Sequence, residues 1–174
     1  MDNSFFSYLQ QLESMAFFTG YPLLYAVILF IAGNKGAKDR IQSWLFFLLP
    51  FSYALVGTLY VCFQFKNLYP DYSIENIKLN IHQPLLLAWG FLAILFWVPA
   101  ISKKPVLSFI HSLVFFFFLA KDLMFHFLGS SSNKYIVRND MKIYTDSLLL
   151  NSAAFVVVVL TQFLFTYCRK RFRV

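Results

Sequence analysis

The fourth of five apolar stretches in this chain holds the side chains with the greatest capacity for chemistry. At 3.6 residues per turn, most of its polar side chains fall near one line along a helix, so they form a polar stripe. An ionisable residue inside a membrane helix is costly and indicates a functional site. The stripe is therefore a candidate proton or ion path, or the lining of a ligand pocket. Its members are Ser108, His111, Ser112, Asp122 and His126.

A structural role for the stripe competes with these functions, and it is the interpretation that we favour. Asp122 lies about 9 Å from the outer end of the stretch by helical rise. Lys121 beside it can extend its amine toward the lipid headgroups. Asp122 can then clamp the fourth helix to a neighbour through hydrogen bonds. The candidate partners between helices are Tyr53, Tyr60 and Gln64 in the second stretch and Asn151 and Gln162 in the fifth.

The sequence contains no motif of catalysis or of metal binding. His82, His111 and His126 lie on different elements and lack the spacing of a metal motif. A carboxylate pair, a nucleophile elbow and a phosphate-binding loop are missing as well. Cys62 and Cys168 do not form a CxxC pair, so we expect free thiols. We therefore predict no catalytic residue, no bound metal and no cofactor.

The composition identifies the protein class. Hydrophobic residues make up 59% of the chain and charged residues only 13%, with 23 phenylalanines among 174 residues. A bilayer core needs roughly 20 mostly apolar helical residues to cross it, and each stretch approaches or exceeds that length. We predict an all-α integral membrane protein, a single transmembrane domain over residues 1–174 built as a bundle of five transmembrane helices. The predicted spans are 15–33, 41–65, 84–101, 105–128 and 148–167.

The segments between the spans are predicted to lie at the membrane surface. Apolar residues at helical spacing in 5–12 and 74–81 indicate two short interfacial helices. The segment 130–146 alternates charges and is typical of a solvated loop. The third span has no charged side chain, so we expect it to be the most lipid-exposed helix and the least suited to hold a site.

Basic residues give the orientation. With the N-terminus outside, nine of them fall on inner segments and five on outer ones, so the positive-inside rule favours an N-out, C-in topology. The net charge of +7 is spread over span ends rather than gathered on one face, which argues against nucleic acid as a partner. The tail after the fifth span is expected to contact the inner leaflet. Its basic residues are Arg169, Lys170, Arg171 and Arg173.

These features predict a multi-pass protein of the cytoplasmic (inner) membrane. With no catalytic motif and no soluble domain, the expected function is that of a non-catalytic membrane subunit. It would associate with itself or with other membrane subunits, and its other partner is the lipid bilayer. Two alternatives remain open at this point. One is a small channel, pore or proton-coupled carrier that uses the stripe, and the other is a membrane enzyme that modifies a lipid or an isoprenoid.

Overall fold

The part of the chain that the structure describes folds into helices. The structure, a computed structural model, describes residues 15–33, 39–68, 84–128 and 134–171. These ranges contain no strand, which confirms the all-helical prediction for this part of the chain. The predicted interfacial helices at 5–12 and 74–81 lie outside the described residues. In chain order the elements are α1 (Tyr21–Gly33), α2 (Asp39–Leu68), α3 (Pro84–Phe91), a 3-10 helix (Leu92–Trp97), α4 (Pro99–Ser102), α5 (Pro105–Leu128) and α6 (Lys134–Arg171).

Among the described residues, two helices are long and apolar enough to cross a membrane. They include the segments Trp44–Lys66 of α2 and Met141–Arg171 of α6. The other apolar helical segments are shorter, at Met15–Ile31, Pro84–Trp97 and Pro105–Lys121. Each predicted span therefore coincides with helical structure, but within the described residues only two of the five predicted spans lie in helices that are long and apolar enough to cross a membrane.

The third predicted span is not one continuous helix. It begins as α3, tightens into the 3-10 helix at Leu92 and ends where Val98 is extended, with φ −74° and ψ 122°. Pro99 follows directly, and a proline pushes the residue before it out of the helical region. The chain then forms the four residues of α4 and turns into α5 at Lys103 and Lys104.

The segment 134–146, expected to be a loop, is the beginning of α6. No proline or glycine occurs between Lys134 and Arg171, so nothing in that sequence stops a helix. Its charges mark where the apolar part of the helix begins, at about Ser147, and not where the helix itself begins. The prediction was wrong because it treated a change in polarity as a change in secondary structure.

Aromatic side chains fill the centre of the bundle. Phe18 stacks on Phe115 of α5 with ring centroids 4.5 Å apart, and it also contacts Tyr53 and Tyr60 of α2 at 5.5 and 5.2 Å. All four of these side chains are fully buried. Offset and edge contacts between rings add about 0.5–1.5 kcal/mol each beyond the area that they bury. The segment before α1 is therefore held against both α2 and α5.

Small residues allow the closest helix contacts. A Cβ atom on Gly57 of α2 would lie 2.7 Å from the Cβ of Ala93 in the 3-10 helix. At Gly90 a Cβ would collide with the ring of Tyr60. These positions let the third segment lie directly on α2, although it was expected to face lipid.

The helix is interrupted just before α1, and α6 supplies hydrogen-bond partners at the interruption. The helical turn at 15–18 cannot run straight into α1, because Pro22 has no N–H to donate to the carbonyl of Phe18. Two other main-chain groups at this break are bonded to α6: the Gly20 N–H donates to Ser147 Oγ at 2.8 Å, and Asn151 Nδ2 donates to the Phe17 carbonyl at 2.9 Å. A Cβ on Gly20 would collide with the main chain of Leu148.

Gly20→Val should therefore destabilise the fold. The new side chain must push α6 away, and overpacking of this kind typically costs about 1–3 kcal/mol. The separation also stretches the hydrogen bond to Ser147. We expect a lower melting temperature in detergent, measured by thermal unfolding of the purified protein. Ala26→Val, on the exposed side of α1, is the control and should leave the melting temperature unchanged. Equal stability of the two variants would contradict the close contact.

Candidate functional site

His111 is the centre of the polar interior. It lies on α5, is only 7% exposed and is hydrogen-bonded through both ring nitrogens. Nε2 lies 2.9 Å from the carbonyl of Trp89, and Nδ1 lies 2.6 Å from the hydroxyl of Tyr53. A carbonyl can only accept, so Nε2 carries the hydrogen of the neutral ring and Nδ1 accepts from Tyr53. The bonds thus fix the tautomer.

Trp89 and His111 are joined in both directions. The indole Nε1 of Trp89 donates to the main-chain carbonyl of His111 at 3.1 Å, while the imidazole donates to the carbonyl of Trp89. The two rings stack with centroids 4.8 Å apart and planes 6° apart. Three contacts therefore hold α3 against α5 at one level. We call Tyr53, Trp89 and His111 the His111 cluster.

The surroundings of the His111 cluster are aromatic. Besides Tyr53 and Trp89, the imidazole has the rings of Phe18, Phe96 and Phe115 at 6.4, 5.8 and 6.2 Å. A neutral imidazole whose two nitrogens are both bonded can be buried in such an environment without an unpaired polar atom. The packing therefore suits a neutral histidine.

A second hydrogen-bonded pair lies one turn closer to the start of α5. Ser108 Oγ donates to the carbonyl of Pro105 at 2.7 Å, so the hydroxyl of Tyr21, 2.8 Å away, is the donor to Ser108. Ser112 Oγ donates to the carbonyl of Phe109. Tyr21 also contacts Tyr53 with rings 4.5 Å apart, which links this pair to the His111 cluster.

Asn151 on α6 forms the polar contact with the segment before α1. Its Nδ2 faces two carbonyls, those of Phe17 and Ser147, which settles the orientation of the amide. Its Oδ1 is buried without a hydrogen-bond partner among the described residues, and so is the hydroxyl of Thr19. Burying an unpaired acceptor typically costs about 1–3 kcal/mol. The contact between α6 and the segment before α1 therefore leaves more polar atoms without hydrogen bonds than the His111 cluster does.

The structure brings together part of the predicted set. Ser108, His111 and Ser112 are buried on one side of α5, and Tyr53 and Tyr60 are buried on the facing side of α2. Tyr53, one of the three candidate partners of Asp122 on α2, is bonded to His111. The side chains of Asp122 and His126 lie outside the described residues, as does Arg173.

The remaining predicted residues lie nearer the surface. Gln64 and Gln162 are half-buried, and within the described residues neither amide makes a hydrogen bond to another helix. The basic side chains at the end of α6 are exposed. These are Arg169, Lys170 and Arg171.

Both hydrogen-bonded chains in the described interior end on main-chain carbonyls. The chain from Tyr53 through His111 ends on the carbonyl of Trp89, and the chain from Tyr21 through Ser108 ends on the carbonyl of Pro105. A carbonyl accepts a hydrogen bond but has no proton to pass on. Within the described residues no cluster of three metal-ligating side chains occurs either.

Sequence reasoning missed Trp89, Tyr21 and Ser147. Trp89 was placed in a span with no polar side chain, although an indole N–H normally finds a partner when it is buried. Ser147 precedes Asn151 by four residues and so shares its helix face. That spacing, together with the break that Pro22 imposes, was the available signal for the contact with α6.

Tyr53→Phe should lower stability although it removes a single oxygen. The ring contacts remain, but Nδ1 of His111 loses its donor in a buried site, at a cost of about 1–3 kcal/mol. Thermal unfolding of the purified protein measures the change. Tyr25→Phe is the matched control: Tyr25 stacks on Phe109 at 4.8 Å, and its hydroxyl bonds to no described residue. Pairing Tyr53→Phe with His111→Phe in a double-mutant cycle should reveal coupling, and additive effects would refute the direct bond.

Comparisons with known proteins were made at three levels. No family model, no curated protein and no solved structure matches this chain. The assignment of function therefore rests on the geometry of the chain itself, and chiefly on the His111 cluster and the exposed surface of α6.

Proposed function

We propose that this protein is a multi-pass membrane protein that acts as a non-catalytic, associating subunit in the cytoplasmic (inner) membrane. The interior supports this proposal because the hydrogen bonds of His111 and Ser108 end on main-chain carbonyls and are surrounded by apolar side chains, many of them aromatic. The polar groups of the His111 cluster thus hold helices together. The groups that face outward are left to carry the function.

The observation that carries the proposal is the outward face of α6. Only 11% of the apolar window in α6 is buried, against 50% in α2. On the side of α6 that points away from the bundle, exposed residues recur at alternating spacings of four and three, the pattern of left-handed helix pairs. The outward face consists of Leu149, Ala153, Val156, Leu160, Phe163 and Tyr167.

The length of the outward face matches a bilayer. Leu149 and Tyr167 are separated by about 27 Å of helix, close to the roughly 30 Å of a hydrocarbon core. The next charged residues on α6 are Asp146 before this band and Arg169 after it. Small residues at a helix interface allow close approach in lipid, and Ala153 supplies one near the outer end of the face.

The topology that we propose has five apolar helical segments with the N-terminus outside and the C-terminus inside. The nine-to-five division of basic residues supports it. α6 then runs inward and ends in its basic tail at the inner leaflet, where each basic residue contributes about 1 kcal/mol of attraction to anionic lipid.

Reporter fusions test this orientation. A reporter fused after Val174 should be active on the cytoplasmic side, and a tag inserted between Ser130 and Asn133 should be accessible from outside. The division of basic residues gives both expectations. If the C-terminal fusion is inactive on the cytoplasmic side and active outside, the topology is the opposite of the one proposed.

Association is tested by the mass of the purified protein. In mild detergent we expect an oligomer or a complex with other membrane subunits, measured by size-exclusion chromatography with light scattering. Ala153→Trp should reduce that mass to the monomer without changing the melting temperature, because the new ring blocks the outward face but touches no buried residue. Val106→Trp, exposed on α5, is the control and should keep the mass of the wild type. A stable wild-type monomer would refute the proposal.

A further inference from the structure

The spacing of the outward face continues beyond the charge-free stretch of α6, which extends from Ser147 to Cys168. Asp146 lies three residues before Leu149, and Lys142 lies four residues before Asp146, so both extend the alternation of four and three. Both side chains are exposed, and neither forms an ion pair among the described residues. The apolar face is therefore preceded by a positive and a negative side chain four residues apart. We call Lys142 and Asp146 the outer charge pair.

The outward face points away from the rest of the protein. Ser147, Asn151 and Ala154 are buried against the bundle. Each lies two residues before a member of the outward face, and two residues turn a helix by about 200°. The outward face is thus almost diametrically opposite to the packed side of α6. No other described helix covers it, so a second helix can lie along its whole length.

The geometry of a pair of copies follows from the membrane. Copies of one chain insert with the same topology, because the same basic residues orient each of them. Two copies that meet through their outward faces therefore have parallel α6 helices, related by a twofold axis along the membrane normal. Every residue of α6 is then level with its counterpart in the other copy. This relation holds whichever end of the chain is outside.

The outer charge pair is self-complementary in this arrangement. Its two residues are about 6 Å apart along the helix and occupy successive positions of the seam. The lysine of each copy therefore lies next to the aspartate of the other, and the axis generates two equivalent ion pairs. A different membrane helix would need the same two charges at the same spacing. At the inner end Arg169, Lys170 and Arg171 are all positive, so that end offers no such pair.

We propose that the occupant of the outward face is a second copy of this chain, with its α6 parallel and in register. The outer charge pairs of the two copies contact each other, and the apolar residues below them form a left-handed seam. Ala153 allows the closest approach of the two main chains. This inference rests on the proposed function and deepens it, because it selects the chain itself as the partner.

Disulfide cross-linking tests the second copy. Cys62→Ser and Cys168→Ser remove the two native thiols, both of which are free and exposed. In that background Ala153→Cys should form a covalent dimer when membranes are mildly oxidised, because a disulfide needs Cβ atoms about 4 Å apart. Thr161→Cys is the matched control and should remain a monomer: it is exposed on α6 but lies roughly 120° around the helix from the outward face. Val156→Cys is a second variant on the face, used if Ala153→Cys does not fold.

Each other cross-linking pattern overturns the proposal. Equal amounts of dimer from Ala153→Cys and Thr161→Cys would show that copies collide without a preferred face. If neither variant on the face forms a dimer while the protein purifies with a different subunit, the second copy is refuted but association stands. If the wild-type protein is a stable monomer in mild detergent, association itself is refuted.

Exchange of charges tests the register. Asp146→Lys gives a copy with two positive charges at the outer end, and Lys142→Asp gives one with two negative charges. When the two variants carry different tags and are expressed together, unlike copies should be recovered together at least about twofold more often than like copies, the ratio expected of two exposed ion pairs. Differently tagged wild-type copies are the control and should show no preference.

This experiment separates contacts between copies from contacts within one helix. Each variant keeps like charges within its own α6, so only a contact between copies favours the unlike pair. The double variant Lys142→Asp with Asp146→Lys restores both relations and should dimerise as the wild type does. Equal recovery of like and unlike pairs, or a double variant that stays monomeric, would refute the proposed register.

Discussion

Every main-chain group that a helix break releases inside the bundle must find a partner elsewhere, and this constraint organises the structure. At the break before α1, Ser147 and Asn151 of α6 supply the partners. Where α3 tightens into the 3-10 helix, the carbonyl of Trp89 accepts from His111. The few polar side chains of the interior thus serve mainly as hydrogen-bond partners for irregular main chain. A bundle of unbroken helices would not need them.

This use of polar residues explains how so apolar a chain specifies one packing. Apolar rings fit together in many ways, and volume alone discriminates weakly among them. A hydrogen bond between buried groups discriminates strongly, because each alternative packing leaves a donor or an acceptor unpaired. The contacts of Trp89 with His111 in both directions set the level of α3 on α5. The close approach of Gly57 to Ala93 then sets α3 and the 3-10 helix on α2.

The sequence was sufficient to locate the helices but not to pair them. The bounds of α5 were predicted to the residue, since Pro105 begins the helix and Gly129 follows its last residue. The prediction that Ser108, His111 and Ser112 share a face of α5 agrees with their burial, because helical periodicity alone determines which residues share a face. Which helix that face meets depends on contacts distant in sequence. Tyr53 was therefore named with Tyr60 and Gln64 as a candidate partner of Asp122, although its hydroxyl is bonded to His111.

The level at which α5 packs on α6 changes the meaning of Asp122. Counting from the contact of Phe116 with Tyr144, Lys121 and Asp122 on α5 are level with residues 138–139 of α6. That part of α6 carries Arg138, Asp140 and Lys142, ahead of its charge-free stretch. In a membrane that follows the charge-free stretch, Asp122 lies beyond the edge of that stretch, where a carboxylate needs no special function to explain it.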